Sequence, residues 1–340
     1  MTLHVGLIGG GNISDTHARA VCQIPGLELA AICGPNSDKV ARLCGQYGGK
    51  AYQDLDAFLK HRPLDLVIIG SPSGLHADQG IAAAQRGLHV LTEKPLDINT
   101  QRADALIAAA KQHRVKLGVI FQDRLKPGIR QLREWIRAGQ LGKIFLVDAR
   151  VKWYRPPEYY ANSTWRGTIK LDGGGALMNQ GVHTVDLILW LFGTVTRLEA
   201  RVQTALHKIE AEDTAVAILE FKDGPLCTLQ ATTAAYPGYA RRLEITGSEG
   251  TVILENDSIV AADLRSGISR SATETDEGAA SPVVGDVRGH QAVIEDFVLA
   301  IKDNRSPACD GQEGRRSIEL IESIYRAARH AGSVELLHGI

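Results

Sequence analysis

Short apolar segments alternate with amphipathic segments over the first 122 residues of the chain. Apolar runs rich in β-branched residues, such as Leu3–Ile8 and Leu27–Cys33, predict strands, and Ser37–Tyr47 has the periodicity of a helix. Strands that alternate with helices at this spacing predict a parallel sheet covered on both faces. The continuous apolar run Leu66–Ile69 predicts a central strand buried on both sides. We therefore expect an α/β fold that begins with a doubly wound Rossmann domain over residues 1–122.

The pattern changes after residue 122, where apolar and polar positions begin to alternate. Such alternation predicts antiparallel strands with one buried face and one open face. The predicted strands are residues 143–153, 195–206, 213–221, 226–235, 241–247 and 251–255, and the predicted helices are residues 127–138, 176–191, 289–302 and 314–329. Residues 262–288, rich in Ser, Gly, Ala and acidic residues, predict a surface loop. We expect an α+β domain over residues 123–340 with a large, mostly antiparallel, open-faced sheet.

The first predicted strand ends in a glycine turn that leads into a helix. Gly9 would allow the tight turn, and Gly11 lacks the Cβ that would keep a pyrophosphate away from the backbone. A helix that begins near Asn12 and Ile13 offers free N–H groups and the positive end of its dipole to phosphates. Ser14 stands where glycine or alanine is usual, which predicts slightly looser packing between helix and strand. This order indicates dinucleotide binding, and the alternative is a plain strand–helix turn.

The second predicted strand is not followed by the acidic residue that usually binds the adenosine ribose. Asn36 could hydrogen-bond a ribose hydroxyl instead. Asn36, Ser37 or Lys39 could contact the 2′-phosphate of NADP, although no arginine is placed to pair with it. NAD is therefore the predicted cofactor, and NADP stays open.

A lysine directly follows another predicted strand, in the segment Glu93-Lys94-Pro95. Because ligands of doubly wound sheets bind at the carboxyl ends of the strands, we expect Lys94 in the crevice beside the nicotinamide. There it could donate to a substrate hydroxyl or, with a pKa lowered by burial, act as a base. Pro95 would restrain the backbone beside it. The alternative is a surface lysine whose stem lies along apolar neighbours.

The helix predicted at residues 176–191 carries polar residues at helical spacing. Asn179, His183 and Asp186 are separated by four and three residues, so they project from one face. They are either substrate-binding groups or members of a satisfied structural network, and for Asp186 both interpretations stay open.

Aromatic residues and arginine are concentrated in the loop before this helix. Tyr154 and Trp165 suit the apolar faces of pyranose rings, and Arg166 suits a polar or phosphate-bearing ligand. Loop packing is the alternative for these aromatic residues, and we prefer it for Tyr159 and Tyr160.

Four motifs stand in order along the chain. They are Gly9-Gly10-Gly11-Asn12-Ile13, Ser71-Pro72-Ser73-Gly74-Leu75-His76, Glu93-Lys94-Pro95, and residues 173–183 with Asp186. Together they resemble the motifs of the glucose–fructose oxidoreductase / inositol dehydrogenase / MocA family. The resemblance implies a nicotinamide-dependent oxidoreductase that acts on a secondary hydroxyl of a sugar, sugar derivative or cyclic polyol. It also implies that Lys94 and His183 are the catalytic residues at the reacting hydroxyl.

The residues and the resemblance together give two sets of candidate binding residues. The predicted cofactor-binding residues are Gly9, Gly11, Asn12, Ile13, Asn36, Ser71, Pro72, His76, Glu93 and Lys94. The predicted substrate-binding residues are Lys94, Gln122, Tyr154, Trp165, Arg166, Asn179 and His183.

One position departs from the family pattern. Many members carry aspartate where this chain has Asn179. Because an amide cannot accept a proton, the acid–base role that some members assign there must pass to Lys94 or His183. Met178-Asn179-Gln180, with Trp165-Arg166-Gly167-Thr168 upstream, is similar to a subgroup of sugar or nucleotide-sugar dehydrogenases, some of which oxidise the 3-hydroxyl.

Composition and charge narrow the function classes. A net charge of −1 and a pI near 6.8 give no electrostatic argument for nucleic acid or a membrane as partner. The five cysteines include no Cys-x-x-Cys pair, which favours reduced thiols in the cytoplasm, and no metal is predicted. We expect neither a signal peptide nor a membrane span.

Because a broad open sheet face commonly pairs with another subunit, we expect a homodimer or homotetramer.

Two other activities stay open at this stage. One is a glycosidase that keeps NAD bound and cleaves a glycosidic bond through transient oxidation, so that no NADH accumulates. The other is a non-enzymatic sensor that binds a dinucleotide, against which the pair Lys94 and His183 argues.

Overall fold

The first half of the chain forms a six-stranded parallel sheet. The structure is a computed structural model, and it describes residues 2–271 and 287–330. The strands are β1 (Leu3–Ile8), β2 (Leu27–Cys33), β3 (Lys50–Tyr52), β4 (Leu66–Ile69), β5 (His89–Thr92) and β6 (Leu117–Val119), and the helices between them are α1 (Asn12–Gln23), α2 (Ser37–Tyr47), α3 (Leu55–Leu59), α4 (His76–Ala84) and α5 (Thr100–Gln112). The strand order β3-β2-β1-β4-β5-β6 confirms the predicted doubly wound Rossmann sheet.

The chain reverses its direction of winding between β1 and β4, which are neighbours in the sheet. Every residue of β4 is buried, as its continuous apolar run predicts. Because all six strands are parallel, the loops after β1, β4 and β5 leave from the same edge. Three of the predicted motifs therefore meet at the carboxyl ends of the central strands.

The second half of the chain is built around an eight-stranded sheet. Its strands are β7 (Ile144–Lys152), β8 (Val195–Gln203), β9 (Thr214–Phe221), β10 (Leu226–Thr232), β11 (Arg242–Gly247), β12 (Gly250–Glu255), β13 (Ser258–Leu264) and β14 (Ser269–Ser271), and the helices are α6 (Pro127–Arg137), α7 (Pro157–Ala161), a π-helix (Ala176–Gly181), α8 (Val182–Phe192), α9 (Arg288–Lys302) and α10 (Gly311–His330). The order is β14-β13-β12-β11-β7-β10-β9-β8, and only the pair β7–β10 is parallel within the described residues. The predicted antiparallel sheet is confirmed.

Two local predictions for this half need correction. The surface loop predicted over residues 262–288 is wrong for residues 262–271, because pairing of β13 with β12 and β14 satisfies their backbone groups. Residues 272–286 lie outside the described part of the chain. The helix predicted at residues 176–191 begins as the π-helix and becomes α-helical only at Val182.

One face of the second sheet is open, as predicted. Along β9, Ala215, Ala217 and Leu219 are buried, whereas Val216 and Ile218 are 47% and 50% exposed. The alternation follows from the two-residue repeat of a strand, which turns successive side chains to opposite faces.

Helix α9 returns from the second half to pack against the first sheet. Phe297 is 1% exposed and shares a core with Leu91 and Ile120. A Cβ atom at Gly118 of β6 would lie 2.8 Å from the Phe297 ring, so glycine allows this approach. The domain boundary predicted at residue 122 stays a prediction, since residues beyond it complete the first core.

Across the described residues, no helix combines the length and apolar character needed to cross a membrane.

The packing of α9 predicts the effect of truncating Phe297. Phe297→Ala should lower the free energy of unfolding by about 3–5 kcal/mol, because it leaves a cavity in the first core. The matched control is Leu299→Ala on the same helix, where the side chain is 48% exposed and the expected change is within about 0.5 kcal/mol. Urea unfolding followed by circular dichroism measures both, and equal losses would show that α9 does not belong to this core.

Candidate active site

The turn after β1 combines a strained backbone with an open surface. Gly9 has φ of +135°, which disfavours any other residue, and a Cβ atom there would lie 2.6 Å from Ser14 Oγ. Helix α1 begins at Asn12 without a side-chain cap, so the N–H groups of its first turn are available to an anion. A Cβ atom at Gly11 would meet no protein atom within 4 Å. The space that glycine keeps open there fits a pyrophosphate.

Asn36 lies exposed at the start of α2, beyond the end of β2. Its side-chain oxygen accepts a hydrogen bond of 2.9 Å from Lys39 N and thereby caps α2. The oxygen keeps a second lone pair and the nitrogen keeps its N–H groups, so both can still contact a ribose hydroxyl.

The loop after β4 is fixed by His76, which is buried. Its Nδ1 lies 2.8 Å from the carbonyl oxygen of Pro95 and its Nε2 lies 3.0 Å from that of Ser71. The ring lies between the Ser71-Pro72 loop and the Lys94-Pro95 loop, and a neutral imidazole donates its one N–H group to one of the two oxygens. That His76 binds the cofactor stays a prediction.

Glu93 is buried between two histidines that sequence analysis missed. Its Oε1 lies 2.8 Å from His17 Nε2 and 3.5 Å from His290 Nε2. Burial alone would raise the pKa of Glu93, but the hydrogen bonds from both histidines outweigh it and hold the pKa well below its usual value. Two histidines and a carboxylate could also be ligands of a zinc ion, but two ligands of one zinc ion would lie about 3.3 Å apart at normal bond lengths. The 2.8 Å contact between His17 Nε2 and Glu93 Oε1 is therefore a hydrogen bond.

Lys94 connects the two halves of the chain. Its Nζ donates a hydrogen bond of 2.9 Å to the backbone oxygen of Asn179 in the π-helix. Burial lowers the pKa of Lys94 from its ordinary value, and the nearby carboxylates of Glu93 and Asp172 only partly oppose this. The lysine at the end of β5 therefore reaches the element that leads directly into α8.

His183 lies in the first turn of α8, with its ring largely buried. Its Nδ1 lies 3.4 Å from Asp123 Oδ2, and its ring stands edge-on to Phe121 with 5.7 Å between centroids. Burial lowers the pKa of His183 to about 3, and the positive charges of Lys94 and Arg241 act in the same direction. The imidazole is therefore neutral at physiological pH and has a lone pair to accept a proton.

The Asn179 side chain is held between two neighbours. Its Nδ2 donates a hydrogen bond of 2.6 Å to Asp172 Oδ1, and its Oδ1 accepts one of 3.0 Å from Gln180 Nε2. Burial raises the pKa of Asp172 to about 7, although hydrogen bonds from Gly167 N and Asn179 oppose the shift. Asp172 thus places a carboxyl group that titrates near neutral pH close to the Lys94 side chain.

The glycine run before the π-helix lets its backbone pack tightly against Glu212. This carboxylate accepts hydrogen bonds from Gly175 N and Leu177 N at 3.1 and 2.8 Å, and from Tyr325 Oη at 2.9 Å. A Cβ atom at Gly175 would overlap the Glu212 carbonyl oxygen. The run therefore anchors the π-helix, an element that occurs frequently at functional sites.

Asp186 belongs to a structural ion pair. Both of its carboxylate oxygens accept hydrogen bonds from the Arg124 guanidinium, at 2.6 and 2.7 Å, and both side chains are buried. Of the two interpretations left open by the sequence, this geometry favours the structural network.

The predicted substrate-binding loop is only partly directed at this site. Arg166 stacks on Tyr159, 4.1 Å from the ring centroid, and lies 5.5 Å from the ring of Trp165. Tyr154 instead packs against the exposed Tyr236. Sequence analysis missed Arg155, whose Nη2 donates a hydrogen bond of 2.9 Å to Gln180 Oε1 beside Asn179.

Gln122, at the start of the turn that follows β6, carries a buried acceptor. Its Oε1 has no hydrogen-bond partner among the residues that the structure describes. Because a buried acceptor without a donor is costly, this oxygen suits a ligand hydroxyl or amide.

Two family models match the chain. Residues 3–121 match the oxidoreductase family with an NAD-binding Rossmann fold, and residues 129–253 match the GFO/IDH/MocA C-terminal domain. The chain belongs to the GFO/IDH/MocA oxidoreductase family. This membership confirms the predicted family, its oxidoreductase activity and its NAD cofactor.

Individual members of this family are similar over most of the chain. The rhizopine catabolism protein MocA of Rhizobium meliloti is 32% identical over 250 residues, which span 72% of this chain and 76% of that protein. An inositol 2-dehydrogenase of Rhizobium meliloti is 25% identical, with 99% and 100% covered. The crystal structure of the WlbA dehydrogenase from Bordetella pertussis, in complex with NADH and UDP-GlcNAcA, is 31% identical with a TM-score of 0.86, and 97% and 96% of the two chains are covered.

The raised pKa of Asp172 predicts a pH-dependent difference between the protein and its Asp172→Asn variant. In the folded state the carboxyl keeps its proton up to about pH 7, whereas its ordinary pKa is 3.8. Folding of the natural protein is therefore penalised increasingly as pH rises through this window. The variant should gain on the order of 2–4 kcal/mol relative to the natural protein between pH 4 and 8. Urea unfolding at several pH values measures this, and a constant difference would contradict it.

Proposed function

We propose that this protein is an NAD-dependent dehydrogenase that oxidises a secondary hydroxyl of a sugar, a sugar derivative or a cyclic polyol. The observation that carries the proposal is the contact of Lys94 with the π-helix, because it brings an ammonium group next to the helix that holds His183. This pair lies at the edge of the sheet where the glycine turn is open to a dinucleotide.

The roles of the site residues follow from their protonation. Bound NAD supplies the hydride acceptor. Lys94 and His183 hydrogen-bond the reacting hydroxyl, and one of them takes its proton. A neutral imidazole and a lysine whose pKa is lowered can both serve as that acceptor. Asn179 orients the substrate, since its amide has hydrogen-bonding capacity but cannot exchange the proton.

The cofactor and substrate preferences rest on neighbouring side chains. NAD is preferred over NADP because Asn36 stands at the ribose position and no arginine accompanies it. Gly9, Gly11, Asn12 and Ile13 contact the pyrophosphate through the backbone. The WlbA dehydrogenase was crystallised with a nucleotide sugar, and Arg166 suits the phosphates of such a ligand. A hexose or nucleotide sugar oxidised at the 3-hydroxyl is the finer proposal.

Removal of either catalytic side chain tests these roles. Lys94→Ala and His183→Ala should each lower turnover by ~100-fold or more, because each loses a group that positions or deprotonates the hydroxyl. Cofactor affinity should stay near that of the natural protein. The measurement is NADH absorbance with a panel of polyols, sugars and nucleotide sugars, together with NADH binding by fluorescence. Matched controls are Lys111→Ala and His113→Ala, two exposed residues outside the site.

The same panel separates this activity from the two other candidates. Accumulation of NADH with an unglycosylated sugar or polyol supports the dehydrogenase. Cleavage of a glycoside without NADH accumulation would identify a glycosidase instead. Binding without any turnover would identify a sensor. Full activity in both alanine variants would show that the assigned roles are wrong.

The proposal extends to the assembly and its location. The open face of the second sheet carries the exposed apolar side chains of Leu146, Val216, Ile218 and Leu226 on adjacent strands. Such a face is suited to a second copy of the chain, so we infer a homodimer or homotetramer formed through it. The five cysteines are unpaired, which favours a cytoplasmic location. No nucleic-acid or membrane partner and no resident metal form part of this proposal.

Charge on the open face should disrupt this assembly. The double variant Val216→Asp/Ile218→Asp places two carboxylates where an apolar contact is expected, at a cost that a dimer cannot offset. Light scattering after gel filtration should change from a multiple of 36.7 kDa to the mass of one chain. Leu299→Asp, at another exposed apolar position, should leave the natural mass unchanged. If the natural protein has the mass of a monomer, the inferred homodimer or homotetramer is wrong.

A further inference from the structure

A carboxylate from outside the predicted motifs faces the catalytic histidine. Asp123 lies in the turn Gln122–Leu125, which follows β6. Its Oδ2 is 3.4 Å from His183 Nδ1. That nitrogen is buried and makes no hydrogen bond among the described residues. Contacts of this length in a ligand-free site commonly tighten when the substrate complex forms.

We propose that Asp123 is a positioning residue that keeps the proton of His183 on Nδ1 and leaves Nε2 as the proton acceptor for the substrate hydroxyl. The inference rests on the proposed function, because it assumes that His183 acts at that hydroxyl. A neutral imidazole carries one N–H group, and an adjacent carboxylate accepts it on the side that it faces.

The charge of Asp123 is secured by two cations. Arg241 Nη1 lies 2.8 Å from the same Oδ2, and Lys126 Nζ lies 3.1 Å from Oδ1. Burial alone would raise the pKa of Asp123, but Arg241, His183 and Lys126 outweigh it, and the carboxyl remains ionised. Arg241 also binds Asp257.

No other carboxylate of the described residues forms an ion pair with His183. Asp186, which shares the helix of His183, is saturated by Arg124. Asp172 accepts from Asn179 and Gly167. At the position where many family members carry aspartate, this chain has Asn179, whose amide points to Asp172. Asp123 therefore supplies, from a different segment, the negative partner that the helix itself lacks.

The proton and electron balance of the step is simple. The O–H bond of the substrate breaks and its proton goes to Nε2 of His183, while the C–H electron pair leaves as hydride to bound NAD. A C=O bond forms. The charge of the imidazolium that results is favoured by the carboxylates of Asp123 and Glu93 and opposed by the cations Lys94 and Arg241. Asp123 thus stabilises the charge that the step creates.

The experiment compares Asp123→Asn with Asp257→Asn. Asp257 is also buried and also binds Arg241, but no contact joins it to His183. Asp123→Asn removes the negative charge that faces Nδ1, so the ring proton is no longer held there and is expected on Nε2. Turnover should fall by ~100-fold or more with NADH affinity unchanged, whereas Asp257→Asn should stay within threefold.

The tautomer is measured separately from activity. The protein is labelled with ¹⁵N-histidine, and the His183 resonance is assigned by its loss in His183→Gln. The His183 ring should carry its proton on Nδ1 in the natural protein and in Asp257→Asn. In Asp123→Asn the proton should be on Nε2. A natural protein with Nε2–H would overturn the proposal even if the Asp123 variant fails to fold. Unchanged turnover in folded Asp123→Asn would also overturn it. The NMR measurement needs no substrate. If the natural protein shows Nδ1–H but no turnover with any substrate, the proposed function fails and the inference about Asp123 does not.

Discussion

The hydrogen bond from Lys94 Nζ to the backbone of Asn179 is the contact on which the site depends. It joins the end of β5 in the first sheet to the π-helix that leads into α8 in the second half. A buried ammonium is costly unless it has acceptors, so the backbone oxygen both satisfies the lysine and sets where its charge lies. The glycine run and Glu212 fix the π-helix from the other side.

Pairing of charges divides the buried ionisable groups into two classes. Glu93 has two histidines, and Asp123 has Arg241 and Lys126. The pKa values of Glu93 and Asp123 are accordingly lowered, and these carboxylates keep their charge. Lys94, His183 and Asp172 are not compensated to the same degree, so burial shifts the pKa of each toward its neutral form. Asp172, whose pKa is raised to about 7, can exchange a proton near neutral pH, and it accepts a hydrogen bond from the Asn179 side chain.

Local patterns gave correct predictions wherever one segment settles the outcome. The glycine turn at Gly9, the buried strand β4 and the alternation along β9 each depend on backbone sterics or on a one-sided core within a few residues. Predictions failed where a distant partner decides. The strands β13 and β14 form because β12 offers a free edge.

The sequence alone determined the doubly wound sheet, the alternation of the second sheet and the family, because periodicity and motif spacing are properties of contiguous residues, and it proposed Lys94 and His183 as a catalytic pair. Only the tertiary structure decided which groups surround that pair. Asp123, Asp172, His17 and His290 follow no spacing rule relative to the helix or to Lys94. Their importance arises from the distances and burial that the folded chain imposes, and these set the protonation of the site.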